Sequence, residues 1–256
     1  MESVNVIITA PKGKMGKFIV KVASERKDMR IIATLGPNGR DYIGKDSGIV
    51  AGIGYETGAL VIDNLESIIN GKPAIEQCDV IIDFSTIELS LEIIELAKKY
   101  NKAFICGTTG FSSEQKEYMQ KLSQEMPLMI AANTSFLVNL MKELLKISSR
   151  ALGEKADIEI IDMHDKYKKD APSGTAKELG EVIGKSSGIE IRPSAYHSVR
   201  SGNIPSTHTV IFGCMGERLE ITHHSYDWEC FARGACEAAI YMKDKQNGLY
   251  EMEDIL

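Results

Sequence analysis

The sequence has no apolar run close to the roughly 18 residues that a membrane-spanning helix needs. It has no C-x-x-C pair and only five cysteines (Cys78, Cys106, Cys214, Cys230, Cys236), an odd number seated mostly in apolar stretches. This excludes a disulfide framework and a thiolate zinc site, and it fits reduced thiols in the cytoplasm, the expected location. A basic excess is also missing: 30 Lys and Arg stand against 36 Asp and Glu, a net charge of −6. No nucleic-acid partner follows from such a balance. No basic stretch precedes the first apolar run, which reads as a β-strand rather than a leader. Repeats and low-complexity tracts are absent. What remains is 256 residues, 43% of them hydrophobic, enough to bury the core of one large domain or two small ones.

Over residues 1–131, short β-branched runs alternate with helix-period segments, the pattern of a parallel sheet covered by helices. Strands are expected at Val4–Thr9, Arg30–Leu35, Asp79–Phe84, Ala103–Cys106 and Leu128–Ala131, with a weaker one at Leu60–Ile62. Their unbroken apolar character suits burial on both faces. Met15, Phe18, Ile19 and Val22 recur at helical spacing, as do Leu89, Ile93, Leu96 and Ala97. Residues 36–58 are glycine-rich and weakly patterned, and read as a surface excursion bordering a ligand site. After Asn133 the pattern changes to helix (Leu137–Ala151), strand (Ile158–His164), polar loop, helix (Ala176–Ile183) and strands near Thr207–Phe212 and Arg218–His224. The last helix, Asp227–Lys243, and the tail return to the first domain. The fold class is therefore α/β: a Rossmann-type dinucleotide-binding domain (1–132 and 227–256) plus an α+β substrate-binding and oligomerisation domain (133–226).

Three loops end strands of the first domain. The segment VIITAPKGKMGKFIV places Gly13 and Gly16 at a strand-to-helix junction, where backbone N–H groups and the helix dipole can hold a pyrophosphate. Ala10 takes the fingerprint's first glycine position and is followed by Pro11, so the turn is expected to be built differently; Lys12 and Lys14 would add positive charge. The second strand ends in TLGPNGRD, without the acidic residue that binds ribose hydroxyls, and with Arg40 close enough to meet a 2′-phosphate. NADPH is favoured over NADH on that ground. The loops CGTTGF and AANTSF bring small hydroxyl residues and glycines to the same edge, so a nicotinamide cleft explains all three together.

The richest stretch is IEIIDMHDKYKKDAPSGTAKEL. A strand ends at His164, Lys168 follows in a loop, and a helix opens at DAPSGTA with N–H groups from Ser173, Gly174 and Thr175 facing an anion. Helix dipole and lysine suit a carboxylate substrate, and an imidazole can move a proton near neutral pH. An ordinary capped helix would account for Ser173, but not for His164, Lys168 and Lys169 converging on it.

The set APKGKMG, DFS (Asp83–Ser85), CGTTGF, AANTS, MHDKYKKDAPSGTA, VRSGNIPSTHTVIFG, GERLEITHHS, FARGACEAA and GLYEMEDIL resembles the 4-hydroxy-tetrahydrodipicolinate reductase (dihydrodipicolinate reductase) family across nearly the whole chain. The resemblance implies a tetrameric NAD(P)H enzyme of lysine and diaminopimelate biosynthesis. It implies His164 as catalytic proton donor or acceptor and Lys168 as the partner that protonates the reduced ring. Ala10, Pro11, Lys12, Gly13, Lys14 and Met15 would cover the pyrophosphate. Phe84, Gly107, Thr108, Thr109, Ala131, Ala132, Asn133 and Thr134 would line the nicotinamide. Thr109, Asp165, Lys168, Ser173, Gly174 and Thr175 would meet the substrate.

Departures from that family pattern are specific. Asp165 replaces a second histidine that touches substrate, Trp228 stands where an arginine is usual, and Leu137 and Ser206 replace glycines. They motivate a competing reading, a paralogue reducing another cyclic imine or unsaturated carboxylate. A silent nucleotide-binding regulator is the third. His208 reads equally as a core histidine or a substrate contact. His223 and His224 point to opposite faces of one strand and suit no common metal; no metal is expected.

Overall fold

The protein, a computed structural model, is described over residues 3–256. It divides into two compact units, Met1–Ser135 with Phe231–Leu256, and Phe136–Cys230. The division falls at 135/136 and 230/231, against an expected 132/133 and 226/227.

The first unit runs β1 (Val4–Thr9), α1 (Lys14–Ser24), β2 (Met29–Leu35), α2 (Ser47–Ala51), β3 (Leu60–Ile62), the two-residue strands β4 (Ile68–Ile69) and β5 (Lys72–Pro73), α3 (Ala74–Gln77), β6 (Val80–Asp83), α4 (Ile87–Lys99), β7 (Ala103–Cys106), α5 (Ser113–Leu122) and β8 (Pro127–Ile130). Its main sheet has the order β13-β8-β7-β6-β1-β2-β3, where β13 is Gly248–Tyr250, and every pairing in it is parallel. Alternate residues feed two cores. Val6, Ile8, Val80, Ile82 and Ile105 pack with α1 and with α8 (Glu229–Met242), whose small face is Ala232, Ala235, Ala238 and Ala239. Ile7, Ile81, Phe104 and Leu128 pack on the other face with Ile75, Ile93, Ile94 and Met119 of α3 to α5. Each such side chain contributes about 1.5–3 kcal/mol by leaving water, so both faces are committed to packing and polar side chains are left to the strand ends.

The excursion at 36–58 is more ordered than its composition predicts. Asp46 caps α2 and its carboxylate accepts N–H bonds from Gly48, Ile49, Thr57 and Gly58. Tyr42, Val50 and Val61 form a small buried cluster beneath it. A five-residue helix is too short to show a period, which is why sequence reading passes over it.

The second unit runs α6 (Phe136–Leu152), β9 (Asp157–His164), α7 (Gly174–Ser187), β10 (Tyr196–Arg200), β11 (Ser206–Cys214) and β12 (Glu217–Ser225). Its sheet order is β10-β9-β11-β12, with β10 parallel to β9 and the other pairs antiparallel. Met141, Leu145, Leu179 and Ile183 of the helices cover Ile158, Ile160, Val210 and Phe212 on one sheet face. The same inward register of β9 then continues through Asp162 to His164.

The β1–α1 turn explains how Ala10 replaces glycine. Ala10 adopts the left-handed conformation itself, at φ +50°, and its carbonyl accepts the Gly13 N–H at 2.8 Å. The turn is thus built with Ala10 in a conformation that glycine favours. A side chain at Gly16 would press into the Ala10 and Thr9 carbonyls. Ala10→Gly removes a strain of about 1–2 kcal/mol and adds about 0.4–1 kcal/mol of unfolded-state freedom, so denaturation should show unchanged or slightly higher stability. Gly16→Ala should lower stability by about 1–3 kcal/mol; a neutral Gly16→Ala would show that the turn does not need this approach.

Candidate functional site

The first unit's sheet starts at β1 and is extended in both directions, so chain connections leave β1 and β6 toward opposite sides and open a crevice at their carboxyl ends, where open α/β sheets bind ligands. A cavity of about 510 Å³ lies there, lined by Ala10, Gly13, Lys14, Met15, Phe84 and Gly107, with Thr108 and Thr109 beside them. Helix α1 begins at Gly13 with no side-chain cap, whereas α4, α5 and α7 carry Thr86, Ser112 and Ser173 as caps. Gly107 has no room for a side chain because the Phe84 ring lies against it.

Several expected cofactor residues lie outside that cavity. Pro11 is buried beneath the turn, and the Lys12 ammonium sits 4.5 Å from the centre of the Tyr42 ring. Arg40 is exposed in the loop after β2. Ala131 is part of the core, Ala132 is exposed, Asn133 accepts the Ser135 N–H, and the Thr134 hydroxyl donates to the Phe231 carbonyl at 2.7 Å. That loop ties β8 to α8 rather than lining the cavity.

The sequence assigns no role to one buried carboxylate at the end of β6. Asp83, the last residue of β6, is fully buried and accepts four hydroxyl bonds: Thr9 at 2.8 Å and Ser85 at 2.6 Å on Oδ1, Ser90 at 2.5 Å and Thr108 at 3.0 Å on Oδ2. In the sequence it shows only as an aspartate near the end of an apolar strand and as part of DFS. Burial, and then the charge of Asp83, push the neighbouring Cys106 thiol up to about 12.

In the second unit a polar cluster replaces the apolar core at the end of β9. Asp162 is buried; Ser198 donates to its Oδ1 at 2.5 Å, and Arg200 (3.0 Å) and the Ser173 N–H (3.2 Å) donate to Oδ2. Burial alone would raise the Asp162 carboxyl, but the bonds from Ser198, Arg200 and Ser173 outweigh it and hold it below the usual carboxylate range. His164 Nε2 lies 3.7 Å from Asp162 Oδ2, is buried, and has no hydrogen-bond partner. The His164 and His208 rings meet edge to face at 5.3 Å. His208 Nε2 contacts the Ser173 hydroxyl at 3.2 Å and Nδ1 the Ser206 hydroxyl at 3.4 Å. Burial, then the Lys168 charge, lower the His164 pKa; burial, then His164, push His208 down to about 4. Both rings are neutral at pH 7. Asp162, His164 and His208 bring ligand atoms within 4.8 Å of one another, but Arg200 already supplies the cation to Asp162.

A lysine and a carboxylate meet just before the start of α7. Lys168 Nζ is 2.8 Å from Asp170 Oδ1. The Lys168 bond lowers the Asp170 pKa most, and the backbone N–H groups of Asp170 and Gly174 add to it. The chain's own carboxylate therefore stands where lysine and helix N-terminus meet. Gly174 is exposed and Thr175 half-buried. Ser173 departs from expectation: its N–H is turned to Asp162 and its hydroxyl accepts the Ala176 N–H, so it shapes the site from below. Asp165 accepts the Tyr167 N–H at 2.8 Å and is turned onto its own loop.

The chain matches known proteins along nearly its whole length. The family described as dihydrodipicolinate reductase, N-terminus, matches residues 4–134, and dihydrodipicolinate reductase, C-terminus, matches residues 137–256. The 4-hydroxy-tetrahydrodipicolinate reductase of Hahella chejuensis is 36% identical over 268 residues, covering 98% of both chains. That of Nitrosospira multiformis is 35% identical over 273 residues, covering 100% of this chain and 98% of the relative. The dipicolinate-bound dihydrodipicolinate reductase of Paenisporosarcina sp. TG-14 superposes with a TM-score of 0.80 at 26% identity, covering 99% of this chain and 100% of that one. An amine dehydrogenase of Mycobacterium smegmatis, at TM-score 0.63 and 9% identity over 98% of this chain and 95% of that one, shares the fold alone.

The depressed His208 couples stability to pH. Its folded pKa is lower than its unfolded one, so the unfolded chain binds more protons between about pH 6.5 and 4, and stability is full above that window and lost as pH falls through it. A shift of this size corresponds to roughly 3 kcal/mol as an order of magnitude. Denaturant titrations of His208→Gln should show a shallower loss of stability across that window than the parent protein. Identical slopes would remove His208 as the source.

Proposed function

Because the chain belongs to the dihydrodipicolinate reductase family, we infer residue by residue how it performs that family's reaction. It is an NAD(P)H-dependent oxidoreductase that reduces 4-hydroxy-tetrahydrodipicolinate to tetrahydrodipicolinate in lysine and diaminopimelate biosynthesis: the 4-hydroxyl group leaves as water, and the conjugated ring so formed takes up a hydride and a proton. The observation that carries the residue assignment is the Asp170 carboxylate held by Lys168 and the α7 start beside a buried neutral His164. A substrate carboxylate takes that place, gripped by the Lys168 ammonium and the N–H groups of Gly174 and Thr175. A helix N-terminus and a lysine are complementary to such a charge.

In the crevice of the first unit, the uncapped start of α1 would hold the dinucleotide's pyrophosphate, and Phe84, Gly107, Thr108 and Thr109 would line the rest of the cavity. The bound cofactor supplies the hydride. This chain's residues handle the matching proton: the Lys168 ammonium donates it to the reduced ring, and His164, neutral at rest, exchanges protons with that site. Asp162, 3.7 Å from His164 Nε2, favours the imidazolium when it forms. Asp165 stays on its own loop, so its charge does not face the dicarboxylate.

NADPH is the preferred cofactor in this reading. The corner after β2 carries Gly36 instead of a carboxylate, with the Tyr42 ring filling the space beside it and Lys12 over that ring. The protein is cytoplasmic, consistent with five free cysteines, and a homotetramer. Glu159, Ile161 and Met163 of β9 and the exposed Val199 of β10 lie on the sheet face opposite α6 and α7, which offers a surface for other copies. Light scattering should give four times the 28.2 kDa chain mass; a monomer would remove the tetramer.

A coupled assay, with a synthase forming 4-hydroxy-tetrahydrodipicolinate from pyruvate and aspartate semialdehyde, tests the roles together. His164→Ala should cut kcat by about 10²–10⁴-fold while cofactor binding persists. Lys168→Ala should raise substrate KM and lower kcat, and NADPH should give the higher kcat/KM. A near-normal kcat in either variant would remove that residue from the chemistry, and faster turnover with NADH would reverse the cofactor assignment.

A further inference from the structure

Asp83 takes no part in the chemistry above, yet it is the fully buried charged group at the junction of three cofactor loops. We propose that Asp83 is the positioning residue of the dinucleotide cleft, fixing the direction of the hydroxyls that hold the Phe84–Ser85 backbone. The proposal rests on the reading that this cleft binds NAD(P)H.

The argument is one of hydrogen-bond direction. A carboxylate only accepts, and a hydroxyl has one proton to give. Thr9 gives its proton to Asp83 Oδ1, which leaves a lone pair, and that lone pair accepts the Phe84 N–H at 3.0 Å. Thr108 gives its proton to Oδ2 and accepts the Ser85 N–H at 3.0 Å in the same way. Ser85 and Ser90 add two donors, and the Asp83 carbonyl accepts the Gly107 N–H at 2.8 Å. One side chain thus sets the polarity of the loops after β1, β6 and β7, all at the point where the sheet changes direction. Packing of the Phe84 ring on Gly107, which shapes the cavity wall, depends on that backbone being held.

Asparagine keeps the shape and reverses part of this polarity. Its amide donates, so a hydroxyl facing it can no longer give its proton to that atom and must turn it elsewhere, which disturbs the donor pattern that leaves lone pairs for the Phe84 and Ser85 N–H groups. The loops carrying Phe84, Ser85 and Thr108 then lose their fixed positions, while the second unit's cluster is untouched.

The test uses the full chain. NADPH titration by fluorescence, with steady-state kinetics, compares the parent protein, Asp83→Asn, Thr108→Val and Thr108→Ser. Asp83→Asn and Thr108→Val should raise the NADPH Kd and KM about ten- to hundred-fold. The KM of Asp83→Asn for 4-hydroxy-tetrahydrodipicolinate, whose proposed position lies in the second unit, should stay within about twofold. Thr108→Ser, which keeps the hydroxyl, should restore parent-like affinity. If Asp83→Asn does not fold, the Thr108 pair decides alone. Unchanged NADPH affinity in folded Asp83→Asn, or in Thr108→Val, would overturn the proposal and reduce Asp83 to a structural anchor. A parent protein that fails to bind NADPH would overturn the cleft reading, and this proposal with it.

Discussion

A parallel sheet packed on both faces leaves polar groups almost nowhere to go except its strand ends. In the first unit, β1, β6 and β7 spend nearly every side chain on two apolar cores, so the first hydroxyls and carboxylates the chain can present are Thr9, Asp83 and Thr108. Parallel strands put those ends on one edge, and the reversal of direction beside β1 keeps that edge open. The chemistry of the unit follows from this constraint: the residues nearest the crevice are those that the core cannot use.

Both units solve the resulting desolvation problem in the same way. A buried carboxylate without partners would cost several kcal/mol, yet Asp83 and Asp162 are both nearly inaccessible. Asp83 is met by four hydroxyls and no cation, Asp162 by one hydroxyl, one backbone N–H and the Arg200 guanidinium. The difference matters. Hydroxyls are weak and directional, and Asp83 therefore orders loops; a guanidinium neutralises charge, and Asp162 can sit beside His164 without dominating its titration. His164 stays neutral because burial and Lys168 outweigh the pull of Asp162.

Much of this is legible in the amino-acid sequence where a period or a motif exists. The two-residue alternation of β9 and β11 and the helical stripe of α1 predict elements within a residue or two of their observed bounds. The segment YHSVR of β10 is polar and exposed at its centre, and β13 is three residues long, so neither shows a pattern. The site is legible to the extent that it is local. His164, Lys168 and Gly174 lie within one stretch, whereas the partners of Asp162 come from Ser198 and Arg200, brought over by a parallel pairing that no spacing reveals. Ser173 illustrates the opposite error: its position at a helix start is right, but its N–H serves Asp162.

The Asp165 position shows how charge can be added to a carboxylate-binding loop without spoiling it. Residues 165–170 carry Asp165, Asp170 and three lysines, and each aspartate is occupied by its own backbone or by a lysine. Asp165 is held within its own loop by the Tyr167 N–H. Asp170 is held by Lys168 in an exposed ion pair, and exposed pairs are worth about 1 kcal/mol or less. A substrate carboxylate that also receives the Gly174 and Thr175 N–H groups can therefore displace Asp170 cheaply. In the proposed substrate position Lys168 would pass from Asp170 to the substrate carboxylate, so a second acidic residue in the motif is compatible with a dicarboxylate substrate.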